Sequence, residues 1–378
     1  MKKSVVFILI ISLLSALLCI NSYADNDINI SAKSAVVMCM DTNEVLFSKV
    51  AEKKLPMAST TKIMTALILA EQPDLSKSVK VTKQMVTVEG SSMGLLEGDT
   101  VSYRDLLYGM LLASGNDAAN TVAYVLGGSI KGFAKIMNQK AKDIGMKNTS
   151  FVTPSGLDDE NHYTTAYDMA LLTSVALKNT AFRTACSSKQ ATLYYGNPPY
   201  RRTLTNHNKL LGNYEGLIGV KTGFTKKSGR CLVTAAQRDG KSVIAVTLNA
   251  PDDWNDHRAL LDFGFSNTVV AEYSNCDLDD TLPVICGDAD LVRIKYNDAK
   301  ICLSKKSENK IKSKILLPKF VYAPLSAGET VGRVEYYLDD RLIKTSAIYS
   351  VADMYIENKK ETLPKRFFDN IKAIWNNS

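Results

Sequence analysis

The chain has 378 residues, 46% of them hydrophobic and 22% charged, enough for a sizeable core and two domains, which excludes a mainly disordered chain. Its 46 lysines and arginines outnumber 39 acidic residues, a formal net charge of +7, without the interleaved basic and aromatic residues of a nucleic-acid tract, so no nucleic-acid partner is expected. Three histidines (His162, His207, His257) and no C-x-x-C pair offer little from which to build a zinc centre, and neither metal nor cofactor is expected.

Lys2 and Lys3 precede an apolar run over residues 5–20, which Ser22-Tyr23-Ala24 closes with small residues where a signal peptidase reads. Residues 1–24 are expected to be a removed export signal, the apolar run being short for a membrane span of roughly 20 residues. Leu18 is too bulky, before Cys19, for a lipoprotein signal. Cys39, Cys186, Cys231, Cys276, Cys286 and Cys302 remain beyond it. Buried free thiols are the first expectation, with a Cys276–Cys286 bridge as the alternative.

Strand-like runs at 35–40 and 45–47 flank an Asp41-Thr42-Asn43 turn, a hairpin. A helix is expected from near Ser59. Another covers 103–112, with Ser102 and Asp105 in capping-box positions, and a third covers 117–126 and stops at Gly127-Gly128. Residues 130–144 place Phe133, Ile136, Met137, Ala141 and Ile144 on one face before Gly145, and Thr165 opens a helix reaching about Lys178. Strands return at 217–221, 231–237 and 242–249, the last two joined across Asp239-Gly240. A short helix follows at 254–263. Strands at both ends with helices between imply an α+β domain over 25–267, its first and last strands sharing one antiparallel sheet. Residues 268–356, with strand runs at 292–296, 330–337 and 342–349, form a small all-β, sandwich-like domain. In 357–378, Phe367, Phe368, Ile371, Ile374 and Trp375 fall within a helical stripe of roughly 120°. Lys359, Lys360, Lys365, Arg366 and Lys372 flank it. That pattern suits an amphipathic helix lying on a membrane surface; the alternative is a helix docked on the protein itself.

Ser59-Thr60-Thr61-Lys62 sets a serine and a lysine three residues apart, on one face of a helix start. A serine hydroxyl attacks only when a base takes its proton, and lysine is a base only when its pKa falls toward neutrality. Ser307-Glu308-Asn309-Lys310 has the same spacing, but in a polar stretch expected to be a solvated loop. Ser114-Gly115-Asn116 lies at a joint between two helices, where its side chains can point out of a turn. Lys221-Thr222-Gly223 ends a strand, its glycine leaving room for a substrate backbone. Its rival, Lys227-Ser228-Gly229, lies in a polar turn.

The ordered set S-x-x-K, S-x-N and K-T-G resembles the serine penicillin-binding proteins and β-lactamases. Glu89-Gly90-Ser91-Ser92-Met93, Ser114-Gly115-Asn116-Asp117-Ala118, Pro154-Ser155-Gly156-Leu157 and Tyr163-Thr164-Thr165-Ala166-Tyr167-Asp168-Met169-Ala170 sharpen the likeness. With these the chain resembles the low-molecular-mass D-alanyl-D-alanine carboxypeptidases over roughly 28–265. The small β domain and basic tail fit the same family's layout, including its C-terminal membrane anchor.

The resemblance implies that Ser59 is acylated by the penultimate D-alanine of peptidoglycan stem peptides, with Lys62 as base. It makes the backbone N–H groups of Ser59 and Phe224 the oxyanion hole, Ser114 the proton relay and Asn116 the holder of the acyl chain's amide. Lys221 supplies positive potential, and Thr222, beside Gly223, meets the terminal carboxylate. β-Lactams would be covalent inhibitors, and the enzyme would work on the outer face of the cytoplasmic membrane. Two ammonium groups about 5 Å apart repel by roughly 3 kcal/mol, which would bring Lys62 toward a useful range, burial adding to the shift. Phe224 stands where some members carry histidine. For the arginine that in some members helps hold the carboxylate, Arg258 and His207 are the candidates, although Arg258 also suits an ion pair with Asp256 or Asp262. His162 is expected to serve hydrogen bonding in a polar turn. A secreted β-lactamase and a non-turnover β-lactam or muropeptide sensor are the competing readings.

Overall fold

The computed structural model describes residues 28–273 and 281–356; the expected export signal, Cys276 and the amphipathic tail lie outside them. The hairpin β1 (Ser34–Cys39) and β2 (Val45–Lys49) is followed by a 3₁₀ turn, Ala58–Thr61, that runs into α1 (Lys62–Ala70). Next come β3 (Ser78–Lys80), α2 (Lys83–Val86), β4 (Thr100–Ser102), α3 (Tyr103–Leu111), α4 (Asn116–Gly127), α5 (Ile130–Ile144), α6 (Ala166–Ala176) and α7 (Thr180–Ser187). The hairpin β5 (Gln190–Gly196) and β6 (Pro199–Thr205) leads to β7 (Leu217–Thr225), β8 (Gly229–Arg238), β9 (Lys241–Leu248) and α8 (Asp253–Ser266).

The main sheet has the order β2-β1-β9-β8-β7 and is antiparallel throughout. It therefore joins the first strands to the last, as the strand–helix–strand order of the sequence requires. Every residue of β1 is buried, because α8 covers one face of the sheet and α6 packs against β1 and β9. The first helix, KIMTALILA, is buried all round, as expected of a continuous apolar run.

Local chemistry sets the helix ends. Ser102 Oγ accepts from Asp105 N while the Asp105 carboxylate accepts from Ser102 N, a capping box. Gly128 and Gly145 stop α4 and α5 at φ 70° and 91°, a left-handed conformation that suits glycine.

The structure differs from the sequence reading at several points. The α-helix begins at Lys62, not Ser59, because Thr60 and Thr61 hydroxyls bond back to Met57 O and Ala58 O (2.6 and 2.8 Å) and tighten the preceding turn. Strand β7 continues to Thr225, so the K-T-G motif lies within it. Helix α7 and the β5–β6 hairpin were not anticipated. Ile136 is exposed, whereas Phe133, Met137 and Ala141 of the same stripe are buried. Ser307 is a buried residue of a 3₁₀ turn, not part of a solvated loop. Cys39, Cys186, Cys231 and Cys302 are buried free thiols, but Cys286 is exposed.

The C-terminal strands are β10 (Thr268–Tyr273), β11 (Thr281–Ile285), β12 (Leu291–Tyr296), β13 (Ala299–Ser304), β14 (Ile311–Leu316), β15 (Val321–Tyr322), β16 (Thr330–Leu338) and β17 (Arg341–Ser350). A two-stranded sheet pairs β10 with β13, and a six-stranded sheet has the order β14-β16-β17-β12-β11-β15. Their apolar faces enclose a separate small core that includes Val292, Ile294, Ile301, Val334 and Ile348. This β unit seats on the turn between β1 and β2. Asp41 Oδ2 accepts from Cys302 N and Glu44 Oε2 from Ser304 N, both at 3.0 Å, and Asp41 Oδ1 accepts from Ser242 Oγ of β9.

Candidate active site

The 3₁₀ turn presents Ser59, and the first residue of α1 is Lys62, whose side chain is wholly buried. Lys62 Nζ lies 2.9 Å from Ser59 Oγ, 2.7 Å from Asn116 Oδ1 and 2.7 Å from Ser155 O. Burial holds its pKa well below the usual lysine range, the nearby Lys221 charge lowers it further, and Asp117 opposes the shift. The expected order of causes is thus reversed: desolvation leads and lysine–lysine repulsion follows. Burial pushes Lys221 down to about 7, and its Nζ donates to Thr222 O at 3.0 Å.

The geometry orients the Lys62 amine. A neutral amine has two N–H groups and one lone pair. The carbonyl oxygens of Asn116 and Ser155 can only accept, so they take the two N–H groups. In a neutral Lys62 the lone pair is then left facing the Ser59 hydroxyl.

The Ser155 loop and strand β7 pack on this arrangement, and a glycine in each lets it approach. A Cβ at Gly156 (φ 90°) would lie 1.9 Å from Ala58 O, which shows how closely the Ser155 loop packs on the nucleophile turn. A Cβ at Gly223 would lie 3.1 Å from Met57 O, Ser59 N and Thr60 N. Gly223 thus lets β7 lie close against the turn that carries Ser59, and it also lines the cleft. His162 is buried; its Nδ1 accepts from Val152 N (2.9 Å), so Nε2 carries the proton toward Thr61 Oγ1 (2.8 Å). Burial lowers the His162 pKa to about 4, and the neutral ring buttresses the turn.

Ser114 sits between α3 and α4 at φ 57°, a conformation uncommon outside glycine, and lines the cleft. Asn116, the first residue of α4, also donates from Nδ2 to Glu89 O at 2.6 Å. Sequence reasoning gave Asp117 no role, yet its carboxylate accepts from Ser92 Oγ and from the N–H groups of Met93, Gly94 and Leu95, holding the E-G-S-S-M loop beside Asn116.

These motifs meet in a cavity of about 340 Å³ lined by Ser59, Ser91, Ser114, His207, Lys209, Thr222, Gly223, Phe224, Arg230, Asp253 and Trp254. A larger cavity of about 660 Å³, lined by Met40, Leu177, Arg183 and Ile301 among others, contains none of the motif residues; chemistry, not size, marks the site. Of the two candidates for the extra cation, His207 is in the cleft wall. Arg258 is not among the lining residues: it is exposed and donates to Asn213 O (3.0 Å). Its expected acidic partners are engaged elsewhere, Asp256 with Ser31 and Ala32, and Asp262 with Tyr214. Two cleft cations were missed from sequence, Lys209 and Arg230; Arg230 is paired with Asp253 at 2.7 Å and lies over the Trp254 ring. Arg230 stands opposite Phe224 in the β7–β8 register, so counting pairs back across the 225–229 turn would have found it.

Residues 21–252 match the family described as D-alanyl-D-alanine carboxypeptidase, and residues 281–358 match the C-terminal domain of penicillin-binding protein 5. The D-alanyl-D-alanine carboxypeptidase DacF of Bacillus subtilis is 33% identical over 334 residues, 85% of this chain and 86% of that protein. DacC of Escherichia coli is 31% identical over 84% of this chain and 82% of its own length. Among solved structures, penicillin-binding protein 5 from Haemophilus influenzae superimposes with a TM-score of 0.63 at 26% identity, covering 87% of this chain and 99% of that one. The Streptomyces K15 DD-transpeptidase gives a TM-score of 0.61 at 34% identity, covering 63% and 98%. With its S-x-x-K, S-x-N and K-T-G residues gathered in one cleft, and with these matches over both catalytic and β regions, the chain belongs to the D-alanyl-D-alanine carboxypeptidase family.

Proposed function

We propose that this D-alanyl-D-alanine carboxypeptidase removes the terminal D-alanine from peptidoglycan stem pentapeptides through an acyl-enzyme on Ser59. The observation that carries the reading is Lys62 Nζ at 2.9 Å from Ser59 Oγ, with two carbonyl acceptors turning its lone pair toward the hydroxyl. Ser59 Oγ attacks the carbonyl of the penultimate D-alanine as its proton passes to Lys62. The N–H groups of Ser59 and Phe224 receive the oxyanion. Ser114 relays the proton to the leaving D-alanine nitrogen, and water then hydrolyses the ester. Asn116 retains one donor and one acceptor position beyond its bonds to Lys62 and Glu89 for the acyl chain's amide. Thr222, with Lys221 behind it and Arg230 on the neighbouring strand, holds the terminal carboxylate. A β-lactam meets the same nucleophile and stays attached after ring opening, because its leaving nitrogen remains tethered to the acyl group.

D-alanine release from a pentapeptide by the purified protein tests this, with Ser59→Ala as the inactive control. β-Lactam hydrolysis without D-alanine release would make the protein a β-lactamase, and acylation with neither turnover would make it a sensor. One relative from Streptomyces K15 is called a carboxypeptidase in its curated name and a transpeptidase in its crystal structure. An added D-amino-acid acceptor therefore belongs in the same assay, to read amine against water as the acyl acceptor.

Residues 1–24 direct export and residues 357–378 attach the enzyme to the outer face of the membrane in this proposal, on the support of their sequence patterns. Five apolar side chains at roughly 1.5–3 kcal/mol each if fully buried, with about 1 kcal/mol per nearby basic residue on anionic lipid, suffice for firm but reversible attachment. Flotation with anionic vesicles should carry the full-length protein but not a chain ending before Lys359, and equal flotation of the two would remove the tail from this role.

A further inference from the structure

Cys39 ends β1 of the main sheet and Cys302 lies in β13 of the C-terminal region, 263 residues away. Their Sγ atoms are 3.5 Å apart, both side chains are fully buried, and the Cys39 thiol also lies 3.0 Å from Cys302 O. The two cysteines are held where the β unit seats on the sheet. Asp41 accepts from Cys302 N, and Ser242 N donates to Cys302 Sγ at 3.4 Å. A disulfide needs an S–S separation of about 2.05 Å, so closure requires the sulfurs to approach by about 1.5 Å. By contrast, Cys186 and Cys231 bond to backbone carbonyls, and burial pushes their pKa values up to about 12 and about 11.

We propose that Cys39 and Cys302 form a disulfide that fastens the C-terminal β unit to the catalytic sheet. The oxidant is a small-molecule disulfide, RSSR. The Cys39 thiolate attacks one sulfur of RSSR, forming a mixed disulfide and releasing RS⁻. Cys302 thiolate then attacks the Cys39 sulfur, forms the intramolecular S–S bond and expels the second RS⁻. Two protein thiols are oxidised and one RSSR is reduced to two RSH. Because both sulfurs are buried in the folded protein, the exchange belongs to folding, before the β unit closes on its seat. The inference is independent of the catalytic assignment.

The test is to refold the full chain in a buffer of reduced and oxidised glutathione, then denature it without reductant, alkylate, digest and map by mass. The expected result is one Cys39–Cys302 linked peptide pair, released by dithiothreitol, with Cys186 and Cys231 fully alkylated. Wild-type Tm should also fall by roughly 5 °C or more on reduction, while Cys302→Ser shows no such fall. Alkylation of Cys39 and Cys302 to the extent of Cys186 and Cys231, or pairing of either with Cys286, overturns the proposal. A wild-type Tm indifferent to reductant does so as well.

Discussion

If the carbonyl of Asn116 orients a neutral Lys62, replacing it with a carboxylate should trap the ammonium. In Asn116→Asp an anion stands about where Oδ1 now lies, 2.7 Å from Lys62 Nζ. At an effective dielectric near 20 that contact favours the charged lysine by about 6 kcal/mol, on the order of a 10⁴-fold loss of free amine at neutral pH. Asn116→Ala has the opposite sign. It removes one of three acceptors from the ammonium, a loss of about 1–3 kcal/mol, so deprotonation becomes easier although the amine is less well aimed. The assay is the second-order rate of acylation by a fluorescent penicillin between pH 5 and 10. The acid limb of the profile should move to higher pH in Asn116→Asp and to lower pH in Asn116→Ala. Both variants also lose the Nδ2 bond to Glu89 O and will be slower at their plateaus, which is why the midpoint and not the rate is the readout. Midpoints that stay at the wild-type value, or move the same way in both, would refute the orientation argument.

In Gly223→Ala the new methyl meets three backbone atoms of the nucleophile turn at 3.1 Å. Acylation should fall at least tenfold with Tm nearly unchanged, and an unaltered rate would show that the strand does not brace the turn. Arg230→Ala should raise KM for a D-Ala-D-Ala peptide roughly tenfold, as expected for a partly exposed charged contact, with less effect on kcat, while Arg258→Ala leaves both constants alone. Equal behaviour of the two variants would remove Arg230 from the carboxylate site. Stability should decline in acid because His257, buried between the Thr234 and Thr247 hydroxyls, and His162 have pKa values lowered by burial to about 3 and about 4. The unfolded chain binds their protons first, so stability is full above pH 6.5 and is lost progressively down to those values. Between pH 7 and pH 4.5 each should remove about 2.5 kcal/mol, read from urea melts; a flat profile would contradict the neutral buried rings.

Spacing singled out Ser59 and Lys62 only together with the S-x-N and K-T-G motifs downstream, because Ser307 and Lys310 repeat the same spacing. The all-apolar character of α1 already implied that a lysine at its head would be dehydrated, which is why burial outweighs repulsion from Lys221. Ser155 O was out of reach of sequence reading, since every residue carries a carbonyl and only the fold chooses one. Arg230 was passed over for His207 and Arg258, although the antiparallel pairing brings its strand back beside Phe224. The β5–β6 hairpin escaped because much of it is solvent-exposed, leaving a weak hydrophobic alternation.

The sheet order has a consequence for the timing of synthesis. Strand β1 pairs with β9, Val37 lying opposite Ala245, so the first strand out of the ribosome waits about 200 residues for its central neighbour. Such high contact order makes closure slow. A growing chain that ends before Lys221 already carries Ser59 and Lys62, but no β7 stands behind the nucleophile turn and no second lysine lies nearby. In the mechanism proposed above, acylating power therefore arises only once the chain has grown past Lys221, beyond the middle of its 378 residues.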